Sequence, residues 1–230
     1  MTTRSRHKRY LTERQVDEYR GNGFLTLTGI CSLKEIRSWQ EECRRLWDSV
    51  EVSDDNPRLQ WCERVDGGRV ADGIDPVLDI SPVFEQLAQD ARFVRTAADV
   101  LGGEPEVFKA KLVSKWPGTV GYNFHQDYPH WSFDGDLPYD DFLTVLIPID
   151  PFDAAGRAIE VLPGLHHRIL DGLPDALVDG SRVNMSEGML LALAPGDVGL
   201  LHGLTPHRSG PNRSAKNREL LLVTYVRAGR

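Results

Sequence analysis

Apolar and polar positions follow two different periods along this chain, and the texture changes near residue 106. Leu11 to Arg20 predicts a short helix. Thr12 serves as its N-cap, with Gln15 three residues on completing a capping box, and Gly21-Asn22-Gly23 closes it where glycine takes the left-handed conformation of a C-cap. Phe24 to Thr28 alternates and is rich in β-formers, so it predicts a strand. Ser32 with Glu35 repeats the capping box. Ile36, Trp39, Cys43, Leu46 and Trp47 then make the apolar stripe of an amphipathic helix reaching about Val50. Residues 51 to 75 are polar and rich in Asp and Gly, which predicts loops with at most a short strand. Ser81 to Leu101 predicts one more helix, with Phe84, Leu87, Phe93 and Ala97 buried, stopped at Gly102-Gly103.

Beyond this point the elements are short strands between turn signals. Val107 to Lys115 stops at Pro117-Gly118; residues 121 to 128 and Phe142 to Ile149 follow. Ala158 to Leu162 precedes Pro163-Gly164, Met189 to Leu193 precedes Pro195-Gly196-Asp197, and Val198 to Leu201 and Glu219 to Val226 complete the set. Many short strands punctuated by glycine and proline predict a sandwich or barrel, and a jelly roll suits them. The 230 residues are expected to form a single domain: a flexible tail over 1–10, a largely helical flank over 11–105 and a β core over 106–230.

Composition narrows the function. The net charge of −7 argues against a nucleic-acid-binding surface, which needs basic patches to neutralise phosphates. No apolar run approaches membrane-spanning length, so no membrane partner is expected. Arg4, Arg6, Lys8 and Arg9 are not followed by an apolar segment, which predicts a solvated tail rather than a signal peptide. Cys31, Cys43 and Cys62 are odd in number and lack CxxC spacing, which fits reduced thiols and a cytoplasmic setting.

The chemistry centres on Asn123-Phe124-His125-Gln126-Asp127-Tyr128-Pro129-His130-Trp131. On a regular strand His125 and Asp127 share a face, so an imidazole nitrogen and a carboxylate oxygen converge on one ion. A second histidine would complete the two-histidine, one-carboxylate face of non-haem Fe(II) oxygenases. Apart from His7 in the tail, the candidates are His130, His166, His167, His202 and His207. His207 stands out by its company: it opens His207-Arg208-Ser209-Gly210-Pro211-Asn212-Arg213-Ser214, with Arg218 at the start of the last strand.

These segments resemble the phytanoyl-CoA dioxygenase (PhyH-like) family of Fe(II)/2-oxoglutarate oxygenases. The resemblance rests on His125-Gln126-Asp127, on His207, Ser209, Gly210, Asn212 and Ser214, and on the distal histidine-to-arginine spacing, 218 − 207 = 11. Lys115-Trp116-Pro117-Gly118-Thr119 resembles the family's turn before the first ligand. Gly156 to His166 resembles its Pro-Gly-Ser-His segment, with Leu165 in place of the serine, and Pro195-Gly196-Asp197-Val198 resembles the turn before the distal histidine. The similarity covers most of the chain and is weak over residues 50 to 105.

The resemblance implies a double-stranded β-helix (jelly-roll, cupin-like) core with N-terminal helices packed on one sheet. It implies Fe(II) held by His125, Asp127 and His207, with 2-oxoglutarate and O2 as co-substrates. Arg218 is the expected partner of the distal carboxylate of 2-oxoglutarate, because a guanidinium offers two coplanar donors. Ser209, two residues from His207, could add a hydroxyl. Thr144 and Lys111 on neighbouring strands could also reach the co-substrate, with Lys109 and Lys115 as competing inward lysines. Tyr128, His130, Trp131 and Phe133 would border the substrate, and Arg157 or Arg208 could meet an anionic one. Halogenating relatives have a small residue where Asp127 stands, so the carboxylate implies oxidation rather than halogenation. The expected activity is hydroxylation of a small polar metabolite such as an amino acid, phosphonate or natural-product intermediate, with succinate and CO2 as co-products. Desaturation or cyclisation would use the same residues. A cupin-like metal-binding protein without oxygenase activity is the alternative from another class, and it would have no use for Arg218 at this spacing.

Overall fold

The computed structural model of the protein describes residues 9–131, 138–151, 158–170, 177–181 and 183–229; Arg4, Arg6, Lys8, Phe133 and Arg157 lie outside them. The first helix, α1 (Glu13–Asn22), carries the capping box in full: Thr12 accepts from the Gln15 amide, and the Gln15 side chain accepts from the Thr12 amide. Gly23 closes it with φ 80° and donates its N–H to Tyr19 O at 2.7 Å. Glycine is needed there twice over, because a Cβ would also collide with the His166 ring and the Thr205 hydroxyl. Strand β1 (Phe24–Leu27) follows, then α2 (Leu33–Ser49), capped by Ser32 and Glu35, burying Ile36, Trp39, Cys43 and Leu46.

Residues 51 to 75 correct the sequence expectation of loops. They form a hairpin, β2 (Leu59–Glu63) and β3 (Arg69–Ile74), that extends the main sheet. A bulge between Gln60 and Trp61 breaks the two-residue alternation, which hides the strands from a periodicity count. The expected helix over 81–101 is two helices, α3 (Pro82–Ala88) and α4 (Ala91–Leu101). Asp90 interrupts them by accepting from the Arg92 amide at 2.8 Å and N-capping the second.

The remaining strands are β4 (Pro105–Lys115), β5 (Tyr122–His125), β6 (Phe142–Pro148), β7 (Ile159–Val161), β8 (Met189–Leu191), β9 (Val198–His202), β10 (His207–Ser209) and β11 (Arg218–Arg227). They build two antiparallel sheets of a jelly roll: a seven-stranded one ordered β1-β9-β6-β11-β4-β3-β2 and a four-stranded one ordered β5-β10-β7-β8. Side chains alternate across the large sheet, so it separates two apolar bodies. Leu143, Val145 and Ile147 of β6 and Leu221, Val223 and Tyr225 of β11 pack with the helices in the largest core. Leu146, Leu220 and Leu201 face the small sheet and meet Ile159, Val161 and Leu191 in a much smaller cluster. The space between the sheets is thus only partly filled, and the site occupies the rest.

Candidate active site

His125 ends β5 and His207 opens β10, and the antiparallel register sets them directly opposite each other. Their ring centroids are 4.2 Å apart. Asp127 Oδ1 lies 3.5 Å from His125 Nε2 and 3.8 Å from His207 Nε2, and one donor atom from each residue lies within 4.8 Å of the other two. Asp127 does not reach this point by strand alternation. Strand β5 stops at His125, and Asp127 adopts a right-handed helical conformation (φ −70°, ψ −41°) that starts a 3-10 turn over Tyr128–His130. Proline in that turn and the Tyr128 amide, which donates to Gly203 O at 2.9 Å, end the strand three residues before the sequence expectation.

Each imidazole is oriented from behind. His125 Nδ1 is 2.8 Å from Asn123 O, and His207 Nδ1 is 3.0 Å from Thr205 O. A carbonyl oxygen only accepts, so both Nδ1 atoms carry the proton and both Nε2 lone pairs turn toward Asp127. Burial alone would raise the Asp127 carboxyl, but the charges of His207, His125 and Lys111 outweigh it and hold the group far below the ordinary carboxylate range. Burial pushes His207 down to about 4, with His125 adding to the effect. For His125 burial acts downward, and its contacts with Asp127 reverse the sign, so its pKa is raised. One ionised carboxylate and two imidazole nitrogens on one side of a point form a donor set suited to Fe(II), with the opposite side open to the cavity.

The same cavity holds a cationic end. Arg218, only 2% exposed, begins β11 directly opposite Lys115, the last residue of β4, which is 1% exposed. Lys115 Nζ donates to Ser209 Oγ at 2.8 Å and also to Gly210 O. Burial, with Arg218 as its neighbour, lowers the Lys115 pKa to about 7. Between this end and the histidines the wall is apolar, formed by Val113, Leu146, Ile159, Leu201, Leu220 and Leu222; Gln60, Tyr122 and Arg208 complete it. Two adjacent buried cations and a hydroxyl fit one carboxylate, and the apolar stretch fits methylenes. A dicarboxylate spanning from Arg218 to the metal ligands matches this pattern.

The other expected site residues divide. Lys111 lines the cavity beside the three ligands. Thr144 is outside its wall, and its hydroxyl is 3.0 Å from that of Thr224 on the adjacent strand. Tyr128 and Trp131 are also outside it. Trp131 packs against Phe108 and Phe142 with ring centroids at 5.8 Å and 5.1 Å, and Tyr128 lies 5.7 Å from Phe142. The His130 ring is exposed, 6.1 Å from that of His125. Lys109 turns away to Asp75 at 2.9 Å. Asn212 shapes the loop after β10, donating to Lys115 O and Lys216 O. His166 and His202 serve the scaffold instead: the first contacts Arg20 O, the second Asp140.

Tyr122 and Gln60 were not singled out from the sequence, and Lys115 was left as one of three lysines competing to face the site. The available signals were the lysine opening the Lys-Trp-Pro-Gly-Thr turn and the position of Tyr122 three residues before His125. Tyr122 is held by its hydroxyl, which donates to the buried Asp72 carboxylate at 2.5 Å.

Comparison with known proteins identifies the family and the fold. The model of the phytanoyl-CoA dioxygenase (PhyH) family matches residues 19–220. A 2-aminoethylphosphonate dioxygenase from the uncultured bacterium HF130_AEPn_1 is 22% identical over 229 residues, covering 95% of this chain and 82% of its own. A methylphosphonate hydroxylase from Gimesia maris is 27% identical over 220 residues, covering 94% of this chain and 80% of its own. Among solved structures, EctD from S. alaskensis with 2-oxoglutarate and 5-hydroxyectoine superposes with a TM-score of 0.82 at 20% identity, over 97% of this chain and 79% of that one.

Proposed function

The chain belongs to the phytanoyl-CoA dioxygenase family of Fe(II)/2-oxoglutarate-dependent oxygenases, and from that premise we propose that it hydroxylates an unactivated C–H bond of a small polar metabolite. The observation that carries this reading is the shared cavity. His125, Asp127 and His207 at one end and Arg218 and Ser209 at the other line one space, with an apolar wall between them and Lys115 bonded to the Ser209 hydroxyl.

With iron, 2-oxoglutarate and O2 bound, the centre supplies oxidative decarboxylation of 2-oxoglutarate to succinate and CO2 coupled to oxidation of the substrate. The chain's own residues do the positioning. His125, Asp127 and His207 would hold the metal, the two imidazole rings fixed by the carbonyls of Asn123 and Thr205. Arg218 would take the distal carboxylate, Ser209 would add its hydroxyl, and Lys115 holds that hydroxyl through its own hydrogen bond. Val113, Leu146, Leu220 and Leu222 flank the methylenes and keep water out. The phosphonate-oxidising relatives favour a small polar substrate of this kind.

Adding 2-oxoglutarate to the anaerobic Fe(II) protein is expected to produce a weak visible metal-to-ligand charge-transfer band. In air, 2-oxoglutarate should be turned over to succinate. Absence of both sinks the proposal. With a substrate in hand, gain of one oxygen atom identifies hydroxylation, and loss of two hydrogens identifies desaturation or ring closure instead.

A further inference from the structure

Strand β4 sends three lysines toward the inter-sheet side, and two of them are committed within the protein. Lys109 pairs with Asp75 at 2.9 Å, and Lys115 donates to Ser209 and Gly210. Lys111, between them, makes no hydrogen bond and no ion pair among the described residues, although it is half-buried in the cavity wall. The other polar groups near it are engaged: Arg208 with Glu160 at 2.7 Å, Tyr122 with Asp72, and Gln60 with Asp75 at 3.1 Å. Its charge acts on the Asp72 and Asp127 carboxylates without direct contact, so the ammonium's three N–H donors are left for a bound anion.

The register separates Lys111 from the co-substrate clamp. Lys115 stands opposite Arg218 and Lys111 opposite Leu222. Four residues of strand place the two rungs about 13 Å apart. Lys111 belongs to the metal end, where its charge is felt by His125, Asp127 and His207 alike. On the oxygenase reading, on which this inference rests, both carboxylates of 2-oxoglutarate are accounted for, one by the metal and one by Arg218, Ser209 and Lys115. The only acid in the described wall is the ligand Asp127, so nothing there would draw a cation.

We propose that Lys111 is the specificity-determining residue for the substrate: it takes an oxyanion, carboxylate or phosphonate, of a small molecule bound beside the metal, rather than the co-substrate.

The test uses the anaerobic Fe(II) protein saturated with 2-oxoglutarate, as wild type, Lys111→Met and Lys111→Arg. Acetate and methylphosphonate are titrated against their neutral counterparts acetamide and dimethyl sulfone, by calorimetry and by perturbation of the charge-transfer band. At least one anion is expected to bind more tightly than its neutral counterpart. Lys111→Met should weaken that binding at least roughly tenfold, the order expected when a desolvated charge contact is lost. Lys111→Arg should preserve it, and affinity for 2-oxoglutarate should stay within about threefold in all three proteins. Which anion binds better distinguishes carboxylate from phosphonate. The proposal is overturned if no anion binds better than its neutral counterpart. It is overturned equally if Lys111→Met leaves anion binding unchanged, which signifies direct ligation to the metal, or if it weakens 2-oxoglutarate as much as Arg218→Ala does. Failure of the oxygenase reading is visible separately, as absence of the band in the wild type.

Discussion

Lys115→Met should make the protein more stable and the enzyme worse. In the native site the Lys115 ammonium is buried beside Arg218, which lowers its pKa from 10.5 to about 7. Each tenfold change in proton affinity is worth ~1.4 kcal/mol, so the native fold carries an upper-bound penalty of about 5 kcal/mol for this group. Replacing buried charges by apolar groups of similar volume has stabilised proteins by about 1–4 kcal/mol. Loss of the contacts to Ser209 and Gly210 offsets part of that, about 1–3 kcal/mol. A net gain of about 0.5–1 kcal/mol should raise the melting temperature of the ligand-free protein by roughly 1–4 °C for a chain of this size.

The sign with pH follows from linkage. The folded pKa lies below the unfolded one, so between 10.5 and about 7 the unfolded chain holds more protons and wild-type stability rises with pH. The advantage of Lys115→Met is therefore full at or below pH 7 and fades as pH approaches 10. Binding should move the other way, with 2-oxoglutarate affinity reduced by about 2–5 kcal/mol, because one cation of the carboxylate site is gone. Calorimetric melting across pH 6 to 10 and 2-oxoglutarate titration of the same protein check both halves. A variant that melts lower at pH 7 yet binds 2-oxoglutarate normally would show that Lys115 is a structural strut, and would refute the reasoning.

Arg218→Ala should weaken 2-oxoglutarate by about 2–5 kcal/mol with metal content unchanged, read by calorimetry and metal analysis. Asp127→Ala should abolish turnover and sharply lower iron content, leaving far-UV circular dichroism intact. Gly121→Ala puts a methyl group against the Ser209 carbonyl oxygen, where only backbone could yield; it should cost more than about 2 kcal/mol and loosen iron, because it pries apart the strands carrying His125 and His207. Glu219, pushed up to about 7 by burial, ionises in the unfolded chain first, so native stability falls as pH rises from about 4.5 to 7. Glu219→Gln should therefore raise the melting temperature at pH 8 and leave it nearly unchanged at pH 4.

What could be read from the sequence was what is decided locally. The capping boxes at Thr12 and Ser32 each need only residues three apart, and both form as predicted. The β texture after residue 105 likewise follows from turn chemistry, and the jelly roll with its helices on one sheet is present. What escaped depends on partners distant in the chain. The β2–β3 hairpin gains its strands by pairing with β4, and its bulge leaves no clean alternation. Alternation along β4 left Lys109, Lys111 and Lys115 as equal candidates to face the site; Lys115 is buried against Ser209 and Gly210, partners that lie about 95 residues further along the chain. Trp131 beside the histidine–aspartate pair suggested a pocket, while its ring lies on Phe108 and Phe142, with Gly203 leaving room for it. Asp127 reaches the histidines through a turn where alternation along a strand predicted the same meeting by a different backbone.

The division of apolar mass by the large sheet bears on how this protein can change over generations. Most of the packing that keeps the chain folded lies on the helix side of β6, β11 and β4, remote from the cavity. Positions facing the cavity, such as Lys111, Val113 and Leu222, share their strands with that core but contribute little to it. Mutations there alter what is recognised while drawing lightly on the stability margin that limits most evolutionary steps. The scaffold is insured on one side of a sheet so that the other can drift, and a library confined to inward positions of β4 and β11 should keep a large fraction of folded, iron-binding members.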